Sequence, residues 1–429
     1  MLSQLGHVLV GVADSLMVGQ LGSVPLAAAS LANVIFHLAL TFGIGVTYAI
    51  TPLVAAADGE QDHDKCTTVL KHGLLINMVT GLLLFTVFFS GSNALQYLDQ
   101  PAEVVALAIP YLGLIIASII PFMFFQTFRQ FAEGLSFTRQ AMYVVLLSTL
   151  LNVLLNYILI FGKWGFEPLG LNGAGWATLV SRVVMGLIMW AYIYYSARFK
   201  RYHTAFTFGN YSKDLIRKLL KIGIPAGVQF AFEVGAFGFA AIMVGWFGAN
   251  ALAAHQIAIN LASVTWMMAS GLAAAATIRV GNQLGRKDLF TLRRAAFSIF
   301  IMVTLFMSVN ALIFIIGRNF LPTLYIENQE VIKLATSLVV IAAFFQLSDG
   351  IQVVGLGALR GLEDVKVPTL ITFIAYWVLA LPLGYFLGFK LGLGVNGIWY
   401  GLSIGLSVAA ILLFIRFNKI SKGILNSTR

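Results

Sequence analysis

Met17-Val-Gly-Gln-Leu-Gly22 and Met243-Val-Gly-Trp-Phe-Gly248 repeat one pattern at an offset of 226 residues. At the same offset, without a gap, Leu26-Ala-Ala28 matches Leu252-Ala-Ala254. Further along, Gly45, Thr51, Val54, Gly59 and Asp62 match Gly271, Thr277, Val280, Gly285 and Asp288. Near the end of each half, Gly134-Leu135 resembles Gly361-Leu362, and Gly170-Leu-Asn-Gly173 resembles Gly394-Val-Asn-Gly397. Shared Leu and Ala follow from an apolar composition, whereas Gly, Thr and Asp aligned at one offset do not. The chain is therefore an internal duplication.

The composition says where each half resides. Of the 429 residues, 59% are hydrophobic and 10% charged, with a mean hydropathy of +0.89. Soluble domains are about 45–50% apolar and about 25% charged, so 27 basic and 17 acidic residues cannot coat a soluble fold of this size. A cytosolic enzyme, a nucleic-acid binder and a secreted module are excluded on that ground. One cysteine, Cys66, excludes a disulfide framework and a Cys-ligated zinc site. A span needs about 20 mostly apolar residues, and twelve such runs are read: 1–20, 26–57, 68–90, 102–126, 140–162, 172–196, 221–247, 250–278, 292–316, 334–359, 368–389 and 394–416. Their length, and the lack of apolar–polar alternation, predict helices rather than barrel strands. The fold class is thus an all-α polytopic membrane protein, with twelve transmembrane helices in two six-helix, pseudo-symmetric lobes.

The polar, charge-rich interval 197–220 falls mid-chain and reads as a cytoplasmic linker between an N-lobe, 1–196, and a C-lobe, 221–417. Residues 418–429 read as a cytoplasmic tail. With the N-terminus inside, 22 Lys and Arg fall in inside segments and four outside, which predicts both termini in the cytoplasm by the positive-inside rule. The net charge of +10 is then a topology signal rather than a nucleic-acid footprint. No signal-peptide pattern is read at the start. The first run begins abruptly at Met1 with no polar leader, and a segment ahead of it is expected to be missing. Six spans per half make the repeats parallel, about an axis along the membrane normal, as in secondary transporters with a central site between the halves.

Three acids fall inside predicted spans: Asp14 in the first, Glu233 in the seventh and Asp349 in the tenth. A carboxylate at mid-bilayer costs at least ~2.5–3.5 kcal/mol and marks an ion or proton pathway by default. Arg182 is the basic residue read well inside a span, so at least two acids lack a basic partner. They are protonated, hold a cation, or alternate between the two. Asn152 and Asn156, spaced i, i+4, share one face of the fifth helix, and Thr178 sits in the sixth. With Asp14 they make an oxygen-only set suited to Na⁺ or H⁺ rather than a soft metal; interhelical hydrogen bonding by the two Asn is the alternative. In the second half, Gln229 and Glu233 are i, i+4, and Gln346, Asp349 and Gln352 step by three along the tenth helix. His255, Gln256 and Asn260 add polar groups to the eighth. His255 is read equally as a proton carrier or as a group bonded between helices, and His37 as a structural residue. A cavity with fixed carboxylates and aromatic walls suits bulky organic cations.

These residues carry a family resemblance. Ala-Asp14-Ser-Leu-Met-Val-Gly-Gln-Leu-Gly resembles the first-helix signature of the multidrug and toxic compound extrusion (MATE) family, of the MOP superfamily. Ile224-Pro-Ala-Gly-Val-Gln-Phe-Ala-Phe-Glu233, Leu252-Ala-Ala-His-Gln-Ile-Ala-Ile-Asn260, Gln346-Leu-Ser-Asp-Gly-Ile-Gln352 and Gly357-Ala-Leu-Arg-Gly361 resemble its later helices. The likeness spans essentially the whole chain, and Glu233 with Asp349 resembles the NorM-like rather than the DinF-like branch. The resemblance implies a V-shaped outward-facing form and antiport, in which organic cations leave as Na⁺ or H⁺ enters. By position, Asp14, Asn152, Asn156 and Thr178 match the N-lobe cation site. Glu233 and Asp349, with Gln229, Gln346 and His255 beside them, match the C-lobe coupling site. Na⁺ is expected at Asp14, Asn152 and Asn156 or at Glu233 and Asp349. The family usually has further residues before the point where this chain begins. The first helix also lacks the proline whose bending is invoked for the DinF-like branch.

No cofactor beyond the coupling ion is expected, and no enzyme motif such as His-Glu-x-x-His is present. The expected partners are organic cations, Na⁺ or H⁺, and membrane lipid, without nucleic acid. The chain is expected to be a monomer in the bacterial inner membrane. A lipid-linked oligosaccharide flippase of the same superfamily is the alternative. It would require basic residues to hold a pyrophosphate where this sequence places acids.

Overall fold

The computed structural model describes residues 14–97, 100–202 and 209–427. Among them all regular structure is helical, and eleven helices are long and apolar enough to cross a membrane. In the first half these are α1 (Ser23–Gly59), α2 (His63–Ser90), α3 (Ala102–Gly134), α4 (Arg139–Phe161) and α5 (Leu171–Tyr195). There follow α6 (Lys213–Gly245), α7 (Ala249–Gly285), α8 (Leu289–Gly317), α9 (Gln329–Gly361), α10 (Lys366–Lys390) and α11 (Gly394–Ser427). They correspond to the second to twelfth predicted runs. Of the first run, residues 14–19 are helical, and the remainder lies outside the described residues.

Helices overrun the apolar runs at their charged ends, because nothing in Lys213-Asp-Leu-Ile-Arg-Lys-Leu-Leu220 breaks a helix. Leu219 on that stretch is buried, so α6 begins inside the interval read as linker. Ala197–Tyr202 ahead of it forms a short 3₁₀ helix. At the other end α11 runs on through residues 418–427. There Arg293 of α8 holds it, donating to Asn418 Oδ1 at 2.8 Å and to the Ser421 hydroxyl.

The chain divides into two compact units, Met1–Gly227 and Val228–Arg429, and the boundary falls within α6. Each unit carries the repeat as geometry. Thr51 Oγ1 donates to the Gln130 carbonyl at 3.1 Å, and Thr277 Oγ1 to the Gly357 carbonyl at 2.8 Å. A Cβ on Gly134 would lie 2.9 Å from the Val54 side chain and 3.1 Å from the Thr51 carbonyl. One on Gly361 would lie 2.8 Å from both Val280 and the Thr277 carbonyl. The aligned acids cap helices: Asp62 accepts from the Lys65 N–H at 2.9 Å, and Asp288 from the Thr291 N–H at 3.0 Å. The residues before them, Gln61 and Lys287, are both left-handed, at φ 61° and 58°.

Within the first unit Ala28, Ala32, Ala108 and Leu112 pack with Ile116 and Met123. In the second, Trp399, Leu402 and Tyr376 share a buried cluster with Ala251, Ala254, Ala258 and Ala262 of α7, and α7 lies closely along α9, an approach that small residues allow in lipid. Outside, Ile301, Leu305, Val309, Leu312 and Ile316 of α8 form an exposed apolar stripe with one-turn steps. A water-soluble surface does not tolerate such a stripe on a monomer. The chain is an integral membrane protein.

Candidate cation-binding sites

The first site is built on α4. Asn152 and Asn156 stack on one face of that helix, and both side chains are buried. Asn156 Nδ2 donates to Asp14 Oδ1 and, at 3.3 Å, to Asn152 Oδ1. The Asn156 carbonyl oxygen Oδ1 is buried and receives no donor among the described residues. An oxygen of that kind wants a cation or a water. Thr178 on α5 is also buried, and the Ser148 Oγ to Ser181 carbonyl bond, 3.0 Å, ties α5 to α4; Thr178 itself makes no hydrogen bond with Asp14, Asn152 or Asn156 among the described residues. Asp14, Asn152 and Asn156 thus bring together one carboxylate and two amides, whose oxygens are hard donors. Tyr111 stands beside it, its hydroxyl hydrogen-bonded with Asn33.

Arg182, on α5, acts on Asp14 through its charge. Its own contacts are different. Nη1 donates to Ser118 Oγ at 2.8 Å, and the guanidinium lies over the rings of Phe36 and Phe122 at 4.8 and 5.0 Å. His37 next to Phe36 is exposed and tilts against that ring at 5.7 Å.

The second site joins α6, α9 and α10. Glu233 on α6 and Asp349 on α9 are 7% and 4% exposed, and each carboxyl stands in the field of the other. Trp377 Nε1 donates to the Phe232 carbonyl at 3.0 Å, which ties α10 to α6. Phe237 packs against Tyr376 and Phe345 at 5.8 and 6.1 Å. Tyr376 OH donates to Gln352 Oε1 at 2.8 Å. Tyr376 and Trp377 lie in a π-helical turn, Ile374–Ala380, a distortion that recurs at functional sites. Gln229, Gln346 and Gln352 are at most 1% exposed. Their Nε2 groups, and Gln346 Oε1, have no partner among the described residues. Leaving such groups unpaired costs about 1–3 kcal/mol each, so this interior is suited to a guest or to water rather than to a dry core.

Three features of the second site were not legible beforehand. Arg360, counted with the cytoplasmic residues, ends α9 close enough for its charge to act on Glu233, and it lies over the Phe230 ring at 5.9 Å. The apolar run stops one residue short of it, which is why it reads as a loop residue. Tyr376 carries no local signal among 14 tyrosines. The third is the partner of His255, which is buried on α7. Its Nδ1 accepts from Trp399 Nε1 of α11 at 3.1 Å. Indole N–H only donates, so the imidazole is neutral with its proton on Nε2, bonded between helices. Gln256 and Asn260 are exposed and bond each other at 3.1 Å. Among the described residues no three His, Cys, Asp or Glu side chains come together, and amides and hydroxyls complete both clusters.

Comparisons agree with this architecture. The MatE family model matches residues 1–158 and 225–386. The chain is 34% identical over 420 residues to the multidrug resistance protein NorM of Photobacterium profundum, spanning 97% of this chain and 92% of that one. It is 34% identical over 426 residues to the multidrug resistance protein MdtK of Yersinia pseudotuberculosis, spanning 98% and 93%. A crystal structure of MATE in the bent conformation superposes with a TM-score of 0.92 at 20% identity, over 100% of this chain and 94% of that one. That superposition shows a MATE-like polytopic fold. With the family model matching well over half of its length, and with relatives of this similarity along nearly all of it, the chain belongs to the MatE family.

Proposed function

We propose that the protein is a secondary active multidrug exporter of the inner membrane, moving organic cations outward as Na⁺ or H⁺ enters, with no catalytic step. Two of its relatives are named multidrug resistance proteins. The observation that carries the reading is the pair of buried, oxygen-rich carboxylate clusters, one in each unit. An exporter of this kind needs one ion and one substrate to bias the same two conformations. A proton or Na⁺ on Glu233 or Asp349 removes negative charge that a cationic substrate would otherwise meet, so loading the ion weakens substrate binding. By linkage the substrate weakens ion binding equally. Gln229, Gln346 and Gln352 supply neutral polar contacts that do not change with ion loading. At the first site Asp14 and the Asn156 carbonyl oxygen offer a second position for the ion.

The test is efflux of ethidium from proteoliposomes under imposed Na⁺ or H⁺ gradients. Glu233→Gln and Asp349→Asn should each lower the gradient-driven rate at least about tenfold, as expected when an interaction used in the coupled step is removed. Wild-type rates in both variants would overturn the mechanism.

A further inference from the structure

We propose that the first turns of α6 form a seat for the headgroup of an anionic phospholipid, with Lys213, Arg217 and Lys221 as its cations. Residues 197–221 carry seven basic side chains against one acid, Asp214. Lys213, Arg217 and Lys221 follow one another at one-turn steps, so they line one side of the helix within an arc of roughly 80°. All three are exposed, and among the described residues none of them pairs with a carboxylate. Ile224, three residues on, falls in the same arc and is 46% exposed. Cations that give way to an apolar side chain along one face match an amphiphile whose phosphate precedes its acyl chain. A soluble anion would leave the apolar end of that face unused.

The seat is fixed in place. Ser212, just ahead of Lys213, donates its N–H to His72 Nε2 of α2 at 2.8 Å. Lys71 Nζ donates to the Gly209 carbonyl and lies over the Tyr211 ring at 5.0 Å. Thr67 Oγ1 donates to the Tyr202 carbonyl at 2.7 Å. On the side of α6 away from the cations, Leu219 and Ile222 are buried, and a Cβ on Gly223 would lie 2.8 Å from the Val46 carbonyl of α1. The three cations therefore stand on a helix held by α1 and α2, and a lipid that binds them has no backbone to order. Other basic side chains are engaged within the protein: Arg293 donates to Asn418 and Ser421, and Arg416 to Asp364.

The test is native mass spectrometry of the whole chain in detergent, titrated with dioleoylphosphatidylglycerol in one arm and dioleoylphosphatidylcholine in the other. The wild type should bind the anionic lipid at least about tenfold more tightly. Each cation near an anionic surface contributes about fivefold. Lys213→Gln, Arg217→Gln and Lys221→Gln combined should therefore weaken that binding on the order of a hundredfold and abolish the preference. Arg217→Gln alone should weaken it about fivefold. Arg286→Gln with Lys287→Gln, which removes two exposed cations of the other unit, should leave the tight binding unchanged. Tight binding that survives the triple variant overturns the seat. An equal loss from the Arg286 and Lys287 pair does so too, since it would reflect general surface charge. Displacement of the lipid by an equal concentration of inorganic phosphate would show a site for a free anion and likewise overturn it. All variants are compared as monodisperse protein on size exclusion, and Arg217→Gln alone decides if the triple variant does not fold.

Discussion

The bond between His255 and Trp399 predicts that this titratable side chain in the membrane interior serves structure rather than coupling. The indole N–H has one partner, Nδ1 of the imidazole, 3.1 Å away across α7 and α11. Both side chains are buried, at 2% and 0% exposed. Replacing Trp399 by Phe keeps the ring but strands the imidazole nitrogen, a loss of about 1–3 kcal/mol. Trp399→Phe should therefore lower the midpoint of thermal unfolding followed by intrinsic fluorescence, and leave the half-activating ion concentration of transport unchanged. A moved ion dependence would put His255 in the coupling machinery instead. The sequence placed a polar group at this position but left its role open, because the deciding partner is 144 residues away. Asn152 and Asn156 were easier, since helical spacing alone puts them on one face, and the fold brings Asp14 to the second of them. Arg182 was legible as a buried base. Its cradle of Ser118, Phe36 and Phe122 was not, since those residues are dispersed over α1 and α3.

Elements inherit the duplication more faithfully than side chains do. The aligned Thr51 and Thr277 make the same bond to the matching positions 130 and 357. The aligned Gly134 and Gly361 are close-approach points at which α3 and α9 touch the helix bearing that threonine. Here glycine is needed for space: both residues are helical, and a Cβ would collide with a carbonyl oxygen and a valine. Overpacking of this kind costs about 1–3 kcal/mol. Gly134→Ala and Gly361→Ala should each lower the thermal midpoint, and Gly361→Ala more, because at 2.8 Å it meets the Thr277 backbone harder than Gly134 meets Thr51 at 3.1 Å. Equal stability to the wild type in both would mean that the two contacts relax freely. Helix ends were the least legible. Apolar runs mark what lies in lipid, whereas capping and propensity decide where a helix stops. Hence α6 reaches back to Lys213 and α11 continues to Ser427. The π-helical turns of α10 around Pro382, Ile374–Ala380 and Phe386–Lys390, leave no mark in the apolar pattern at all.

At the scale of the molecule the direction of transport depends on orientation, which the charges predict. Counted along the chain, 22 basic residues fall on the side expected to be cytoplasmic and four on the other, a bias that the positive-inside rule turns into an orientation. An exporter inserted the other way would import, so the coupling reading and the orientation stand together. The chain offers a simple means of checking. Its one cysteine, Cys66, is 0% exposed, so the wild-type protein gives a silent background for a membrane-impermeant maleimide. Leu391, between α10 and α11, is exposed and on the expected outer side. Lys422, near the end of α11, is exposed and on the expected inner side. A cysteine at Leu391 should label in intact spheroplasts. A cysteine at Lys422 should label only after permeabilisation or in inverted vesicles. The reverse pattern would invert the topology and, with it, the direction of transport drawn from the buried acids.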